Sequence, residues 1–168
     1  MSATERNTGF THVDEHGAAR MVDVSGKEIS VRRAVAAGVV HTTEEVISLL
    51  ARDALPKGDA LAVARLAGIM GAKRTPDLIP LCHPIALHGV EVALTLGAAR
   101  VEIEATVRTA DRTGVEMEAL TSVATAGLAL IDMIKAVDPA ATIDAVRVLR
   151  KEGGKTGLWQ RDDEGTGR

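Results

Sequence analysis

From Ile29 to His41 the chain alternates, with Ile29, Val31, Arg33, Val35, Ala37 and Val39 on one side at a period of two. That period predicts a strand over residues 29–41. It then changes to a helical one. Thr42 and Glu45 form a capping box ahead of Val46, Leu49 and Leu50, which predicts a helix over residues 42–55. Pro56-Lys57-Gly58 breaks it, and Asp59 can cap a second helix over residues 60–73. That segment is rich in Ala and Gly, so another backbone can approach it closely. Pro76, Pro80 and Pro84 then predict a rigid, extended connection over residues 75–84.

Two clean strands follow. Val90, Val92, Leu94 and Leu96 alternate with polar or small residues, and after a turn at 97–100 so do Val101, Ile103, Ala105 and Val107. This is an antiparallel hairpin with one wet face. Thr113 and Glu116 form a second capping box, opening a long helix to about Val137 that Pro139 stops. Residues 142–150 supply a last strand. The order predicts an α+β fold with helices on one face of a mainly antiparallel sheet, whose edges and second face suit self-association. Residues 1–19 and 160–168 are polar and without period, so flexible ends are expected around one catalytic domain, 20–159.

Composition narrows the class. The 168 residues fit one domain, and 46% hydrophobic with 26% charged residues excludes wholesale disorder. A net charge of −3 and only two aromatics, Phe10 and Trp159, argue against a nucleic-acid partner. The single cysteine, Cys82, excludes an internal disulfide and suits a reducing compartment. No apolar leader opens the chain, and the longest charge-free stretch, 119–131, is too short for a membrane span. A soluble cytoplasmic protein is expected.

The candidate chemistry begins on the long helix. Leu120, Val123, Gly127, Leu130, Ile134 and Val137 share one face. The opposite stripe carries Glu118, Thr121, Ser122, Thr125, Ala129 and Asp132, with Lys135 three residues beyond Asp132. A solvated face with an ordinary Asp–Lys pair, worth a few tenths of a kcal/mol, is one reading. An acid/base pair is the other, since each charge shifts the other's proton affinity. Glu116 and Glu118 suit the helix dipole, but Glu118 stands about 21 Å from Asp132 along a straight helix.

Lys57 precedes a helix N-terminus, where an ammonium and open amide donors can bind an anion or simply make a turn. Arg65, Lys73 and Arg74 are solvated by default. Leu81-Cys82-His83-Pro84 sets a thiol beside an imidazole, yet the other histidines are scattered and no second cysteine exists. Zinc is therefore rejected, and no metal or cofactor is expected. In an extended segment Cys82 and His83 point apart, leaving Cys82 packed and His83 facing a ligand. Gly153-Gly154-Lys155-Thr156 lacks the earlier glycine of a P-loop, with Leu149 in its place, though a Gly-Gly-Lys tail can close over a ligand.

Long ordered motifs connect these pieces. Met21-Val22-Asp23-Val24-Ser25, Lys57-Gly58-Asp59, Ala67-Gly68-Ile69, Ala72-Lys73-Arg74-Thr75, Leu78 to Pro84, Thr113 to Thr121 and Asp132 to Val137 together resemble the MoaC family of cyclic pyranopterin monophosphate synthases. The resemblance covers about residues 11–161. It implies a ferredoxin-like subunit in a homohexamer, a trimer of dimers with active sites at the dimer interface. It implies a step of molybdenum cofactor biosynthesis: 3′,8-cyclo-7,8-dihydroguanosine 5′-triphosphate gives cyclic pyranopterin monophosphate and pyrophosphate.

The same resemblance makes Lys57, Asp132 and Lys135 catalytic. It gives Leu81, Cys82, His83, Met117 and Glu118 to the substrate, and makes Arg32 and Lys73 phosphate-contacting cations. Ile134 departs from the family in a slot often filled by cysteine, an apolar exchange. Ring opening, pterin formation and closure of a cyclic phosphate need proton transfer and phosphate clamping without redox, and lysines suit both. A nucleotide-sensing module of the same shape is the alternative, but it leaves the Asp132–Lys135 pair without a task. A purely structural oligomer leaves Lys57, His83 and Glu118 without one as well.

Overall fold

In the computed structural model, which describes residues 12 and 16–162, the chain runs β1 (Ser30–His41), α1 (Glu44–Ala51), α2 (Ala60–Lys73), α3 (Thr75–Leu78), β2 (Gly89–Leu96), β3 (Arg100–Asp111), α4 (Glu116–Ile134), β4 (Thr142–Glu152) and β5 (Trp159–Gln160). The strands form one sheet in the order β2-β3-β1-β4-β5, every pair antiparallel. Helices α2 and α4 pack against it as an α+β, ferredoxin-like fold, as the element order predicts.

The sheet's helix-facing rows are Ala34, Ala36, Gly38 and Val40 of β1 with Val101, Ile103, Ala105 and Val107 of β3. The apolar side expected of β1 from its alternation is thus the one turned away from the helices, with Val31 exposed. Small residues occupy the inner side because α4 comes close: a Cβ on Gly38 would stand 2.7 Å from Val123 Cγ1. Ala119, Val123, Ala126, Leu130 and Ile134 of α4 are fully buried, so this long apolar helix is a core helix.

The polar stripe of α4 is not a solvated face. Glu118, Thr121 and Ser122 are buried, and α2 lies antiparallel along Thr121 and Ser122. A Cβ on Gly68 would meet the Ser122 carbonyl at 3.1 Å, and one on Gly71 would run into Thr125. The small residues of α2 do what their composition predicts. Its outer side is left bare.

Several local expectations shift. Thr43, not Thr42, caps α1 by accepting from the Val46 amide, while the Thr42 hydroxyl donates to buried Asp138 at 2.8 Å. α4 begins on buried Val115 without a side-chain cap, since Glu116 pairs with Lys151 at 3.1 Å. It ends at Ile134, and Lys135 is its C-cap. The connection expected to be extended contains α3, with the Thr75 hydroxyl donating back to Ala72 and Gly71. A turn follows, in which the Cys82 amide donates to Ile79. Gln160 and Arg161, assigned to the tail, bond to β4: Gln160 lies in β5 and the Arg161 amide donates to Leu149. Residues 1–11, 13–15 and 163–168 of the expected flexible ends lie outside the described residues.

Candidate active site

Two clusters of sequence-predicted residues form, one at each end of α4. At its C-terminal end Leu55 plugs the core, and a turn with Gly58 at φ +90° puts Lys57 at its tip. Lys57 Nζ donates to the Asp132 carbonyl at 2.8 Å and lies 3.3 Å from its Oδ2. Lys135 Nζ lies 2.7 Å from Oδ1 of the same carboxylate. Residues 75 positions apart therefore converge on one carboxylate, which Lys135 and then Lys57 hold below the usual carboxyl range. All three side chains remain exposed.

The N-terminal end is a partly enclosed cavity of about 270 Å³ lined by Leu81, Cys82, His83, Met117 and Glu118, with Val22 and Lys27. Five of the seven substrate-binding positions expected from the sequence meet there; Arg32 and Lys73 do not. Glu118 is only 3% exposed. Burial pushes its carboxyl up to about 7, its backbone hydrogen bond pulls it partly back, and the Glu116 charge raises it again. Burial, then Glu118, also raises the Cys82 thiol. His83 Nε2 donates to the Val22 carbonyl at 2.7 Å, which leaves Nδ1 as the ring atom for a ligand. Cys82 and His83 line one cavity although adjacent, because the chain there turns.

Arg32 belongs to a neighbouring recess of about 500 Å³ with Lys27, Gly154 and Lys155. Its guanidinium donates to the Asp111 and Arg112 carbonyls at 3.0 and 3.1 Å. Gly153 turns there at φ +93°, where a Cβ would strike the Val31 carbonyl oxygen. Lys73 is brought into neither cluster; it lies with Met70, Arg74 and Asp77 at the open end of α2. Lys27, which borders both cavities, is the residue that sequence reasoning missed. Its place two residues after the Met21–Ser25 motif was the available signal. Among the described residues, no three His, Cys, Asp or Glu side chains are grouped to share a metal ion.

A carboxyl that exchanges its proton near neutral pH, an ionised carboxylate between two ammoniums and a nearby cationic recess make a site for acid–base chemistry on an anionic ligand. Residues 21–154 match the MoaC family. The chain belongs to that family. It is 60% identical over 156 residues to cyclic pyranopterin monophosphate synthase 2 of Mycobacterium tuberculosis (strain ATCC 25618 / H37Rv), covering 93% of each chain. It is 63% identical over 152 residues to the cyclic pyranopterin monophosphate synthase of Streptomyces griseus, covering 90% of this chain and 86% of that one. The Pelotomaculum thermopropionicum enzyme of the same name is 54% identical over 159 residues, covering 94% of each. The chain is accordingly an enzyme.

Proposed function

We propose that this chain converts 3′,8-cyclo-7,8-dihydroguanosine 5′-triphosphate to cyclic pyranopterin monophosphate, releasing pyrophosphate, as a lyase of molybdenum cofactor biosynthesis. The observation that carries the assignment of residues is the meeting of Lys57 and Lys135 on Asp132. Asp132 fixes both ammoniums, whose protons and charge serve the bonds being made and broken on the nucleotide. Cyclisation forms one oxygen–phosphorus bond at the α-phosphate and breaks the bond to the β-phosphate oxygen. Pyrophosphate leaves with the charge that cations such as Arg32 and Lys27 face. In the other cluster, Glu118 and His83 Nδ1 hold the base and pass protons to it.

The 21 Å or so between Glu118 and Asp132 exceeds the reach of one small ligand inside one subunit. The working site is shared, each drawing the Asp132 end of α4 from one subunit and the Glu118 end from its partner. The assembly is a homohexamer of three such dimers, and the single unpaired cysteine fits cytoplasmic placement. The test is incubation with the cyclised GTP intermediate. Stoichiometric release of pyrophosphate and cyclic pyranopterin monophosphate is expected; binding without turnover would overturn the reading.

A further inference from the structure

The Thr42 hydroxyl, which the sequence offers as a cap for α1, is used elsewhere. Thr42 Oγ1 donates to Asp138 Oδ2 at 2.8 Å, across 96 positions of sequence. The other oxygen, Oδ1, accepts from the Ala140 amide at 3.0 Å. Asp138 is 7% exposed, so each oxygen of a buried carboxyl has its own donor. The Thr42 amide donates to the Ala99 carbonyl, which fixes this residue from its backbone side as well. An apolar pair of the same shape would serve stability about as well. What a fully satisfied polar pair adds is one rigid geometry.

The two chain segments joined at this bond are the ones that carry the lysines of the charged cluster. On one side, Asp138 lies three residues beyond Lys135, the C-cap of α4. The Val137 and Asp138 amides both donate to the Ile134 carbonyl, at 2.8 and 3.0 Å, so the stretch between is a single tight turn. A helix end frays unless something beyond it is fixed, and the Asp138 carboxyl is that fixed point. On the other side, Thr42 precedes Thr43, the N-cap of α1. Val46 and Leu50 bury α1 in the core, and the Ala54 and Gly58 amides, donating to Leu49 and Leu55, close the chain up to Lys57. Lys57 then reaches back to the Asp132 carbonyl, one of the last four of α4.

We propose that Asp138, through its hydrogen bond with Thr42, is a positioning residue that holds the Lys135 and Lys57 segments in the register at which both ammoniums meet on Asp132. The inference rests on the reaction proposed above and adds to it a buried pair outside both site clusters. Lys57 and Lys135 are exposed and stand on long flexible stems, so their own side chains do not fix where they meet. The backbone beneath them must do so. A shift at Asp138 reaches Lys135 through one turn, and a misplacement of about 1 Å at a reacting group can cost on the order of 100-fold in rate.

The test uses the full-length chain and pyrophosphate release from the cyclised GTP intermediate. Thr42→Val keeps the shape and removes the donor. It is expected to lower kcat about 10- to 100-fold while KM stays within about threefold. Thr42→Ser restores the donor and should return kcat to within about threefold of wild type. Ile103→Val, which removes one methylene from the buried row of β3, should lower the melting temperature without lowering kcat. Amide hydrogen exchange, followed by mass spectrometry, should quicken over residues 135–138 in Thr42→Val and not in Ile103→Val. A folded Thr42→Val with the kcat of wild type, or with its loss confined to KM, overturns the proposal. So does an Ile103→Val that loses kcat as Thr42→Val does, because the bond then matters through stability alone. Should Thr42→Val fail to fold, Thr42→Ala, which leaves room for a water, takes its place with the same expectations. Wild type that releases no pyrophosphate sinks the reaction and leaves exchange to decide the tie; unchanged exchange at 135–138 overturns the tie in either case.

Discussion

The two ends of α4 solve the problem of holding charge in opposite ways. At the C-terminal end, Asp132 is exposed and kept ionised by two ammoniums that water also reaches. At the N-terminal end, Glu118 is withdrawn from water beside the Leu81–His83 segment, and burial keeps it near the midpoint of its titration at neutral pH. The first end is rich in charge but unenclosed; the second is enclosed but poor in charge. Ion pairs in water contribute little, so the exposed trio has weight only when something covers it. In the shared site we propose, a nucleotide held by its phosphates at Arg32 and Lys27 lies between the enclosed end of one subunit and the charged end of its partner.

The comparison breaks most visibly at the charged end. Lys57→Ala and Lys135→Ala should each lower turnover by about 10²–10⁴-fold, the range for a lost acid or base. Assembly, measured by sedimentation, should persist, because both side chains are exposed and support no core. Activity within tenfold of wild type would remove the residue concerned from the catalytic set.

At the enclosed end, Glu118→Gln should lower turnover by roughly 10- to 100-fold and remove an ionisation near pH 7 from the rate profile. It should also change stability. Folding raises this carboxyl from 4.5 to about 7, so its contribution is fully present below pH 4.5 and is lost as pH rises through 7. Wild type should lose up to about 3 kcal/mol more than the variant between pH 4.5 and 8 by urea unfolding. Equal losses would mean that Glu118 is not held protonated by burial.

These contrasts were only half legible in the sequence. Most members of each cluster were readable through the family resemblance that Lys57-Gly58-Asp59, Leu81-Cys82-His83, Met117-Glu118 and Asp132 to Lys135 carry, but Lys73, read with them, joins neither cluster. The β2–β3 hairpin and a mainly antiparallel sheet could also be read from alternation, but not the order of the strands in it. What escaped was environment. The periodicity of α4 marks Glu118, Thr121 and Ser122 as a polar stripe, and the packing of α2's glycines on Thr121 and Ser122 is what buries that part of it. β1 misled for a related reason: its inner row is Ala and Gly, so its larger apolar residues point outward. Capping residues competed with tertiary partners, Thr42 with Asp138 and Glu116 with Lys151. Lys27 had no motif of its own.

Whether the two ends work together in one subunit or across two is open to direct measurement. His83→Ala and Asp132→Ala each damage a different end, so each should be inactive alone. Unfolded and refolded together, about half of the dimers pair unlike subunits, and each of these has one intact and one doubly damaged site. Activity should recover to about a quarter of wild type by that symmetry argument. No recovery in a mixture that does assemble would place each site inside one subunit.

The smallest expected effect separates contact from chemistry within the enclosed end. Cys82 lines the cavity beside His83 and Glu118, yet burial and the Glu118 carboxylate both push its thiol up, away from the thiolate that a nucleophile needs. Burial lifts Cys82 and Glu118 alike, but with opposite consequences. A carboxyl raised to about 7 becomes a useful acid at neutral pH, whereas a thiol raised from an already high value becomes inert. Cys82→Ser replaces a half-buried thiol by a near-isostere at a modest cost for the hydroxyl. Turnover should stay within about threefold of wild type, with any change falling on KM rather than kcat, as for a group that touches substrate without changing protonation. A folded, assembled Cys82→Ser variant without turnover would instead move Cys82 into the chemistry and make the enclosed end a nucleophilic site.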